Sequence, residues 1–334
     1  MADMLNGLPE VGKKSTTRER TNLKDSVIKA FERPVVLLLV VGSFLAVSTV
    51  LAKSAPDFGW HPLALLQWSI LGGAATLFLV TRLFAKADGQ SERKAGSSPR
   101  RRLIAYLAIS GVLFILPNMI AVVAAPKVGA GFVSLSFAFP LVLTYAIAVF
   151  LRLERLQVLM GAGVLFGLAG GVLLAMSGAN LSADASLWSV FALSIPVFLA
   201  SGNIYRTLKW PEGVKPVDLA LGMMATGFLA LAVFTSVWGL PVLPEYWTLE
   251  ASALLLSQTA IFALQYGLYF RLQQTAGPVY LSQIGSVAAV VGLGLGFFVF
   301  GEVPNAAKTA AVVFVGTGIV LVTLGRNRRA GRGA

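Results

Sequence analysis

Cysteine and histidine are nearly absent from this chain, and charged residues are scarce. Among its 334 residues there is no cysteine and one histidine, and charged residues make up 13%. The lack of cysteine excludes disulfides, thiol nucleophiles and thiolate metal sites. One histidine and a scatter of carboxylates argue against a zinc or di-iron centre. We therefore expect no metal, no other cofactor and no intramembrane enzyme, which would need clustered acids, histidines or metal ligands.

Apolar residues make up 56% of the chain, and its mean hydropathy is +0.78. Soluble domains carry about 25% charged residues, so this composition is typical of a membrane protein. Ten apolar segments are each close to the roughly 20 residues with which an α-helix crosses a bilayer. The sequence therefore predicts an all-α integral membrane protein with ten transmembrane helices. The segments are 34–54, 62–82, 103–125, 128–150, 156–178, 187–208, 217–238, 249–270, 277–300 and 305–325.

The distribution of basic residues predicts how these helices are oriented. If the N-terminus is cytoplasmic and the helices alternate, 24 of the 27 Lys and Arg residues lie inside and only Lys53, Lys127 and Lys308 lie outside. The positive-inside rule then places the basic tails, residues 1–33 and 326–334, on the cytoplasmic side of a bacterial-type inner membrane. Basic loops against an anionic leaflet also account for the net charge of +12 without a nucleic-acid partner.

The second half of the chain repeats features of the first. The motif at 131–136 recurs at 277–282, 146 positions later, and Phe166 recurs as Phe314, 148 positions later. Because each repeat has five helices, an odd number, the second copy enters the membrane in the opposite sense. Inverted repeats are the architecture of alternating-access transporters, with the substrate site near the midplane where the repeats meet. The repeats are residues 34–178 and 187–325.

A family resemblance rests on residues near the end of each half. They are Pro140, Glu154, Gly161, Gly163, Gly167, Gly170 and Gly171 in the first half, and Gly301, Glu302, Gly316 and Gly318 in the second. With this pattern the chain resembles the EamA-like family of the drug/metabolite transporter (DMT) superfamily over residues 34–325. The resemblance implies a transporter of small organic solutes with ten helices in two sets of five, often an exporter of amino acids or related metabolites.

The chain departs from the family pattern in three places. The first copy reads Arg152-Leu-Glu154 where Gly-Glu is usual, and Ala288 or Ala289 stands where a second proline is expected. Gln67-Trp68 lies where the family often has an arginine. These departures place the chain inside the superfamily but away from its best-known members.

Charged residues lie only at the ends of the predicted helices. Lys53 and other helix-end groups aside, the ten segments contain no Asp, Glu, Lys, Arg or His in mid-membrane, and Arg206 counts as a cytoplasmic helix-end residue. Proton antiport through an embedded acid is therefore disfavoured. We predict that Glu154 and Glu302 cap helix ends or pair with neighbouring cations. Lys53 either attracts an anionic solute near the outer mouth or anchors a helix end by snorkelling.

Uncharged polar side chains are the candidates for a solute site. Gln258, Gln265 and Tyr269 follow one stripe of the eighth segment, where glutamines would be costly toward lipid. A lining of this kind suits an uncharged, zwitterionic or aromatic solute better than a polyanion. The alternative is hydrogen bonding between helices with no solute. The full candidate set is Lys53, Gln67, Trp68, Asn118, Tyr145, Asn203, Gln258, Gln265, Tyr266, Tyr269, Tyr280 and Gln283, with Pro117, Pro140 and Pro196 as candidate hinges.

These features together predict a secondary transporter, an exporter of amino acids or related solutes, that works by alternating access. Its expected partners are a small-molecule substrate and the lipid bilayer, and its expected state is a monomer or a homodimer. One alternative is an importer of a metabolite or vitamin with the same fold. The other is a non-transporting membrane scaffold, whose polar helix faces would be satisfied only by one another. A channel is disfavoured, because charge rings and carbonyl filters are not apparent.

Overall fold

The protein is an all-helical, membrane-embedded chain. The computed structural model describes residues 34–87, 99–152, 156–177, 183–303 and 305–330, which form helices joined by turns. Eight stretches of this part are long and apolar enough to cross a membrane, and two further apolar helices, Val158–Gly170 and Ile284–Phe300, are shorter. Together they correspond to the ten predicted segments. Glu154 and the predicted tail 1–33 lie outside the described residues.

Twelve α-helices follow one another in the described part of the chain. They outnumber the ten predicted segments by two because the fourth and sixth segments are each interrupted by a break in the backbone. The ninth segment is also interrupted, but its first piece is continuous with the helix of the eighth segment. The helices are α1 (Pro34–Ser54), α2 (Pro62–Ala87), α3 (Arg100–Val128), α4 (Ala130–Ser136), α5 (Pro140–Phe150), α6 (Val158–Ser177), α7 (Ala183–Ala192), α8 (Ile195–Leu208), α9 (Pro216–Val237), α10 (Leu249–Leu281), α11 (Ile284–Phe300) and α12 (Ala306–Ala330).

Prolines mark two of the three breaks. Pro140 begins α5, and Pro196 lies in the first turn of α8. Proline is tolerated there because the first turn of a helix leaves its N–H groups without helical partners. The third candidate hinge, Pro117, instead lies inside α3. The break between α10 and α11, at residues 282–283, has no proline.

Two glycines with positive φ begin corresponding parts of the two halves. Gly129 (φ 96°) separates α3 from α4, and Gly277 (φ 75°) kinks α10 one turn before it ends. Glycine adopts this left-handed region without the steric cost that a Cβ would bring. Each half therefore contains a long helix, a glycine turn, a short helical piece, a break and a second helix.

Several packed pairs of helices have a counterpart formed by the corresponding helices of the other half of the chain. Helix α3 packs on α9 as α10 packs on α2, and α1 packs on α10 and α11 as α8 packs on α3 and α5. Helices α2 and α9, α4 and α11, and α6 and α12 pack on each other. The central space of the bundle is enclosed mainly by α1, α3, α8, α10 and α11.

Helices α6 and α12 pack so closely that their backbones touch. A Cβ on Gly163 would lie 2.7 Å from the carbonyl oxygen of Gly318, and a Cβ on Gly318 would lie 2.7 Å from that of Gly163. Further along α6, a Cβ on Gly170 would lie 3.2 Å from the carbonyl oxygen of Ala311. Small residues permit this approach in membrane proteins. Because higher numbers on α6 meet lower numbers on α12, the two helices are antiparallel.

Candidate functional site

A cavity with a mostly apolar lining and a few polar side chains lies between helices of the two halves. Its volume is about 50 Å³, enough for a few water molecules at roughly 10–15 Å³ each. Small-molecule pockets usually measure about 300–1,000 Å³, so a metabolite could enter only if side chains or helices moved. The cavity is lined by Leu45, Leu113, Phe114, Pro117, Asn118, Phe137, Leu199, Arg206, Met223, Gln265, Tyr266, Tyr269 and Ile284.

One wall of the cavity is the polar face of α10. Gln265, Tyr266 and Tyr269 stand at positions i, i+1 and i+4, and residues four apart share a helix face. The Gln265 side chain is buried, and its Oε1 atom has no hydrogen-bond partner. Buried polar atoms in proteins almost always have a partner. An unpartnered acceptor at a cavity wall is therefore a place where a solute or a water molecule can donate a hydrogen bond.

The opposite wall is the middle of α3. Pro117 has no N–H, so it cannot donate to the carbonyl of Leu113 as a helical residue would. The next residue, Asn118, donates from Nδ2 to the Phe114 carbonyl at 2.7 Å. Its Oδ1 accepts a hydrogen bond from the Tyr266 hydroxyl at 3.4 Å, which links the two walls. The proline and the asparagine thus leave polar groups at mid-helix beside the cavity.

Arg206, which lies in the last turn of α8 as the sequence predicted, also lines this cavity. Its side chain lies on α8 and is only 3% exposed. It donates to Asn203 Oδ1 at 3.1 Å and to the Tyr269 hydroxyl at 2.8 Å, while its Nε is buried without a partner. The Tyr269 hydroxyl also donates to Asn203 Oδ1, at 2.6 Å. The candidate cavity therefore has a charged residue in its wall, which the sequence alone did not predict.

Arg206 has no carboxylate partner among the described residues. Its contacts are the Asn203 amide, the Tyr269 hydroxyl and ring, and the sulfur of Met223 at 3.9 Å. Arginine stays protonated in proteins, so the cavity wall carries a full positive charge. A buried charge is costly unless it is paired.

A second charged cluster lies where the C-terminal ends of α1 and α11 meet the turn between α3 and α4. Lys53 Nζ is 2.5 Å from Glu302 Oε1. The same carboxylate accepts hydrogen bonds from the backbone N–H groups of Ala130 (2.8 Å) and Gly131 (2.9 Å). The Lys53 ammonium also lies 3.9 Å from the centre of the Phe300 ring. As predicted, Glu302 caps a helix and pairs with a cation, and its partner is Lys53.

The surroundings of Glu302 favour its charged form. Burial alone would raise the pKa of this carboxyl, but the hydrogen bond from Lys53, the Gly131 and Ala130 N–H groups and the charge of Lys53 outweigh it. The pKa of Glu302 is therefore held below its usual value of 4.5. Glycines surround the carboxylate, and a Cβ on either Gly131 or Gly296 would lie 2.9 Å from Oε2.

Four of the twelve candidate residues line the cavity: Asn118, Gln265, Tyr266 and Tyr269. Asn203 lies just behind it, bonded to Arg206. Sequence reasoning missed Arg206, although its spacing of three from Asn203 places both on one face of a helix. The candidate hinge Pro117 also lines the cavity, whereas Pro140 and Pro196 do not.

The other candidates make contacts elsewhere. Gln67 accepts a hydrogen bond from Thr235 at 2.9 Å, and Gln258 donates to Ser48 at 2.7 Å. The Tyr145 hydroxyl accepts from the backbone N–H of Gln157 at 3.1 Å, and Gln283 donates to Thr323 on α12 at 3.4 Å. These contacts hold helices together, as the alternative reading of such residues predicts.

Two aromatic candidates remain. The Trp68 indole donates to the Val242 carbonyl at 2.6 Å, and its side chain is 36% exposed on the outside of the bundle, away from the cavity. Tyr280 occupies a position at which the structure does not describe the side chain. Lys53 is held by Glu302 and does not line the cavity.

A second hollow, of about 320 Å³, lies between α5, α6 and the α7–α8 region. Its lining is apolar and includes Val142, Leu168 and Pro196. A site for a polar metabolite needs a few placed polar groups to fix orientation, and this lining offers no polar side chain. The central cavity is therefore the candidate site.

Comparison with known proteins places the fold without naming a function. One solved structure, described only as "Crystal structure of protein", matches 86% of this chain and 98% of its own length with a TM-score of 0.59. Its sequence is 17% identical to this chain, so the likeness concerns the fold alone. No family model matches the chain, and no curated protein does.

Proposed function

We propose that this protein is a secondary transporter of a small organic metabolite that works by alternating access between two inverted five-helix repeats. The observation that carries the proposal is the position of the cavity. Asn118 and Tyr266 line it, touch each other and are 148 positions apart. In a duplicated fold, contact between equivalent residues marks the axis that relates the copies. Transporters built of inverted repeats bind their solutes at this interface.

Two further contacts support the same axis. The rings of Phe166 and Phe314 are 5.6 Å apart, and a Cβ on Gly285 would collide with the carbonyl oxygen of Phe137. Both pairs are separated by 148 positions, and so are Gly129 and Gly277 with their positive φ angles. This offset matches Gly277 with Gly129 instead of Gly131, two residues from the match that the sequence alone suggested.

The direction of the paired helices supports inversion. Exchanging the halves turns the contact of Gly163 with Gly318 into a contact of Ala311 with Gly170, and that contact is present. Helices α6 and α12 are thus equivalent and antiparallel, as expected for a twofold axis that crosses them. A twofold axis along the helices would have made them parallel. Five helices per repeat, with both termini cytoplasmic, give the same relation.

The interrupted helices suit a transport cycle. The break between α4 and α5 places Phe137 at the cavity, and the break between α10 and α11 places Ile284 there. Discontinuous helices at the midplane are typical of secondary transporters, because irregular backbone is tolerated where it lines a cavity. The small cavity volume corresponds to a closed state between inward-facing and outward-facing forms. We include amino acids and related metabolites among the expected solutes, with export as the expected direction.

Flux into proteoliposomes tests the proposal. Purified protein is reconstituted and assayed against a panel of radiolabelled amino acids, nucleosides and vitamins. We expect saturable uptake of at least one solute, and we expect Gln265→Leu to reduce it about tenfold, because a hydrogen bond is worth about 1–1.5 kcal/mol. Gln274→Leu is the matched control, since Gln274 is exposed on the same helix. Absence of flux for the whole panel would contradict the proposal. Equal flux in both variants would contradict the assignment of Gln265 to the solute site.

A further inference from the structure

We propose that Arg206 binds the carboxylate of the solute, so that the central cavity takes small carboxylate-bearing molecules. The inference deepens the proposed transport function and rests on it only in treating the cavity as a solute site. It narrows the expected substrates by excluding molecules that lack an anionic group.

Arg206 places a buried positive charge at the wall of the cavity. Arg206 is 3% exposed, and its contacts among the described residues contain no carboxylate. A buried cation without a counter-ion is destabilising, and proteins usually pair it or keep it in water. Lys53, the cation at the other charged cluster, follows that rule with Glu302. The exception at Arg206 leaves room for an anion that the described residues do not supply.

The hydrogen bonds of Arg206 leave part of its guanidinium group without a partner. The guanidinium has five N–H donors in a planar fork that suits two carboxylate oxygens. Asn203 and the Tyr269 hydroxyl occupy the NH2 group, and the Nε–H has no partner. On another wall of the same cavity the Oε1 acceptor of Gln265 is also unpartnered. Arg206 and Gln265 thus line one cavity, and each has a buried polar atom without a hydrogen-bond partner.

These two groups describe the chemistry of the solute. Its carboxylate accepts from Arg206, and an ammonium or hydroxyl group of the same molecule donates to Gln265 Oε1. The wall also contains apolar residues, Leu45, Leu199 and Ile284 among them, which suit an aliphatic or aromatic side chain. The class is therefore that of amino acids and hydroxy acids with an apolar side chain.

Ligand-induced stabilisation of the purified full-length protein tests this without any need for transport. The thermal midpoint in detergent is measured with the apolar L-amino acids, their deaminated carboxylic acids and their carboxamides. A bound ligand raises the midpoint in proportion to RT ln(1 + [L]/Kd). We expect the acids to stabilise the wild type. We expect the carboxamides to bind about 10- to 100-fold more weakly, as the loss of one charged hydrogen-bonded contact implies.

Variants separate charge recognition from general damage. Arg206→Gln is expected to remove the difference between acid and carboxamide. Lys209→Gln, which removes the same charge from an exposed position one turn along the chain, is expected to keep it. Gln265→Leu is expected to remove the preference for amino acids over their deaminated acids. If Arg206→Gln does not fold, the comparison of acids with carboxamides on the wild type still decides.

The outcomes distinguish this inference from the transport function. Equal binding of acids and carboxamides, undiminished acid binding by Arg206→Gln, or no stabilisation by any acid would overturn the inference. Flux of uncharged solutes together with any of these results would leave the transport function standing. Binding of acids through Arg206 in a protein that shows no flux would support the inference and overturn the transport function.

Discussion

The two charged clusters of this protein differ in how the positive charge of the cation is neutralised. Lys53 is 20% exposed and has a carboxylate 2.5 Å away, and that carboxylate also accepts two backbone N–H groups. Arg206 is more deeply buried, yet it contacts only an amide, a phenol and a thioether among the described residues. The cation of the first cluster has its counter-ion, whereas the cation of the second has none in the part of the chain that the structure describes.

The difference indicates separate roles for the two cations. A satisfied ion pair that joins α1, α4 and α11 holds helices in place, because removing either partner leaves the other partly buried without its counter-ion. An unsatisfied cation at a cavity wall adds little to stability and is available to a ligand. The contrast leads to four predictions about stability, of which the first concerns the greatest change.

Replacing Glu302 by alanine should have the largest effect on stability. It leaves Lys53 without its counter-ion and the N–H groups of Ala130 and Gly131 without an acceptor, at a cost of about 2–4 kcal/mol. The measurement is the apparent free energy of unfolding in mixed detergent micelles. Glu245→Ala, at an exposed acid, is the control and should change little. A loss no greater than that of the control would mean that the cluster does not hold the helices.

A double-mutant cycle should then assign part of that loss to the ion pair. Lys53→Met alone leaves Glu302 with its two backbone donors, so we expect a smaller loss than for Glu302→Ala. Combining the two substitutions should show a coupling of about 1–3 kcal/mol, as for contacting charged residues. Strict additivity would indicate that the backbone contacts, and not Lys53, account for the role of Glu302.

The pH dependence of stability should identify the ionised form of Glu302 as the stabilising one. Its pKa is depressed by folding, so its contribution is fully present above the unfolded value, near 4.5, and is lost as pH falls through the folded value. The difference in free energy of unfolding between wild type and Glu302→Gln should therefore be constant above about pH 5. It should shrink as the pH falls below about 4.5. A difference that persists unchanged at more acidic pH would assign the effect to packing.

Replacing Arg206 by methionine should have the smallest effect on stability. The change removes a buried unpaired charge, and Asn203 Oδ1 keeps the Tyr269 hydroxyl as its donor. We therefore expect the free energy of unfolding to stay within about 1 kcal/mol of the wild type, or to rise, while carboxylate binding is lost. A loss above about 2 kcal/mol would show that Arg206 is a structural partner of Asn203 and Tyr269.

Local periodicity was enough to predict the helices and part of the site. The stripe of Gln265 and Tyr269 on one helix face indicated an inward-facing polar wall, and both residues line the cavity. Gln258 belongs to the same stripe but donates to Ser48 on α1. Which neighbour stands opposite a given turn depends on packing between distant segments. Periodicity within one segment therefore cannot separate a cavity wall from a helix contact.

Arg206 shows the limit of reading charges by position. It lies two residues from the end of α8, where a long basic side chain commonly snorkels toward the headgroups. Here the guanidinium turns inward because Asn203 one turn earlier and Tyr269 on α10 offer acceptors. The partner of Lys53 is similarly invisible in the sequence, because Glu302 is 249 positions away.

The close contact between α6 and α12 limits how the helices of this protein can move. A methyl group on either Gly163 or Gly318 would meet the opposing carbonyl at 2.7 Å, so sliding the helices by one residue would drive a larger side chain into backbone. We therefore expect α6 and α12 to keep their positions relative to each other while the other helices tilt around them. Because the chain has no native cysteine, a disulfide engineered between α6 and α12 would fix the two helices together, and no native cysteine would have to be replaced first.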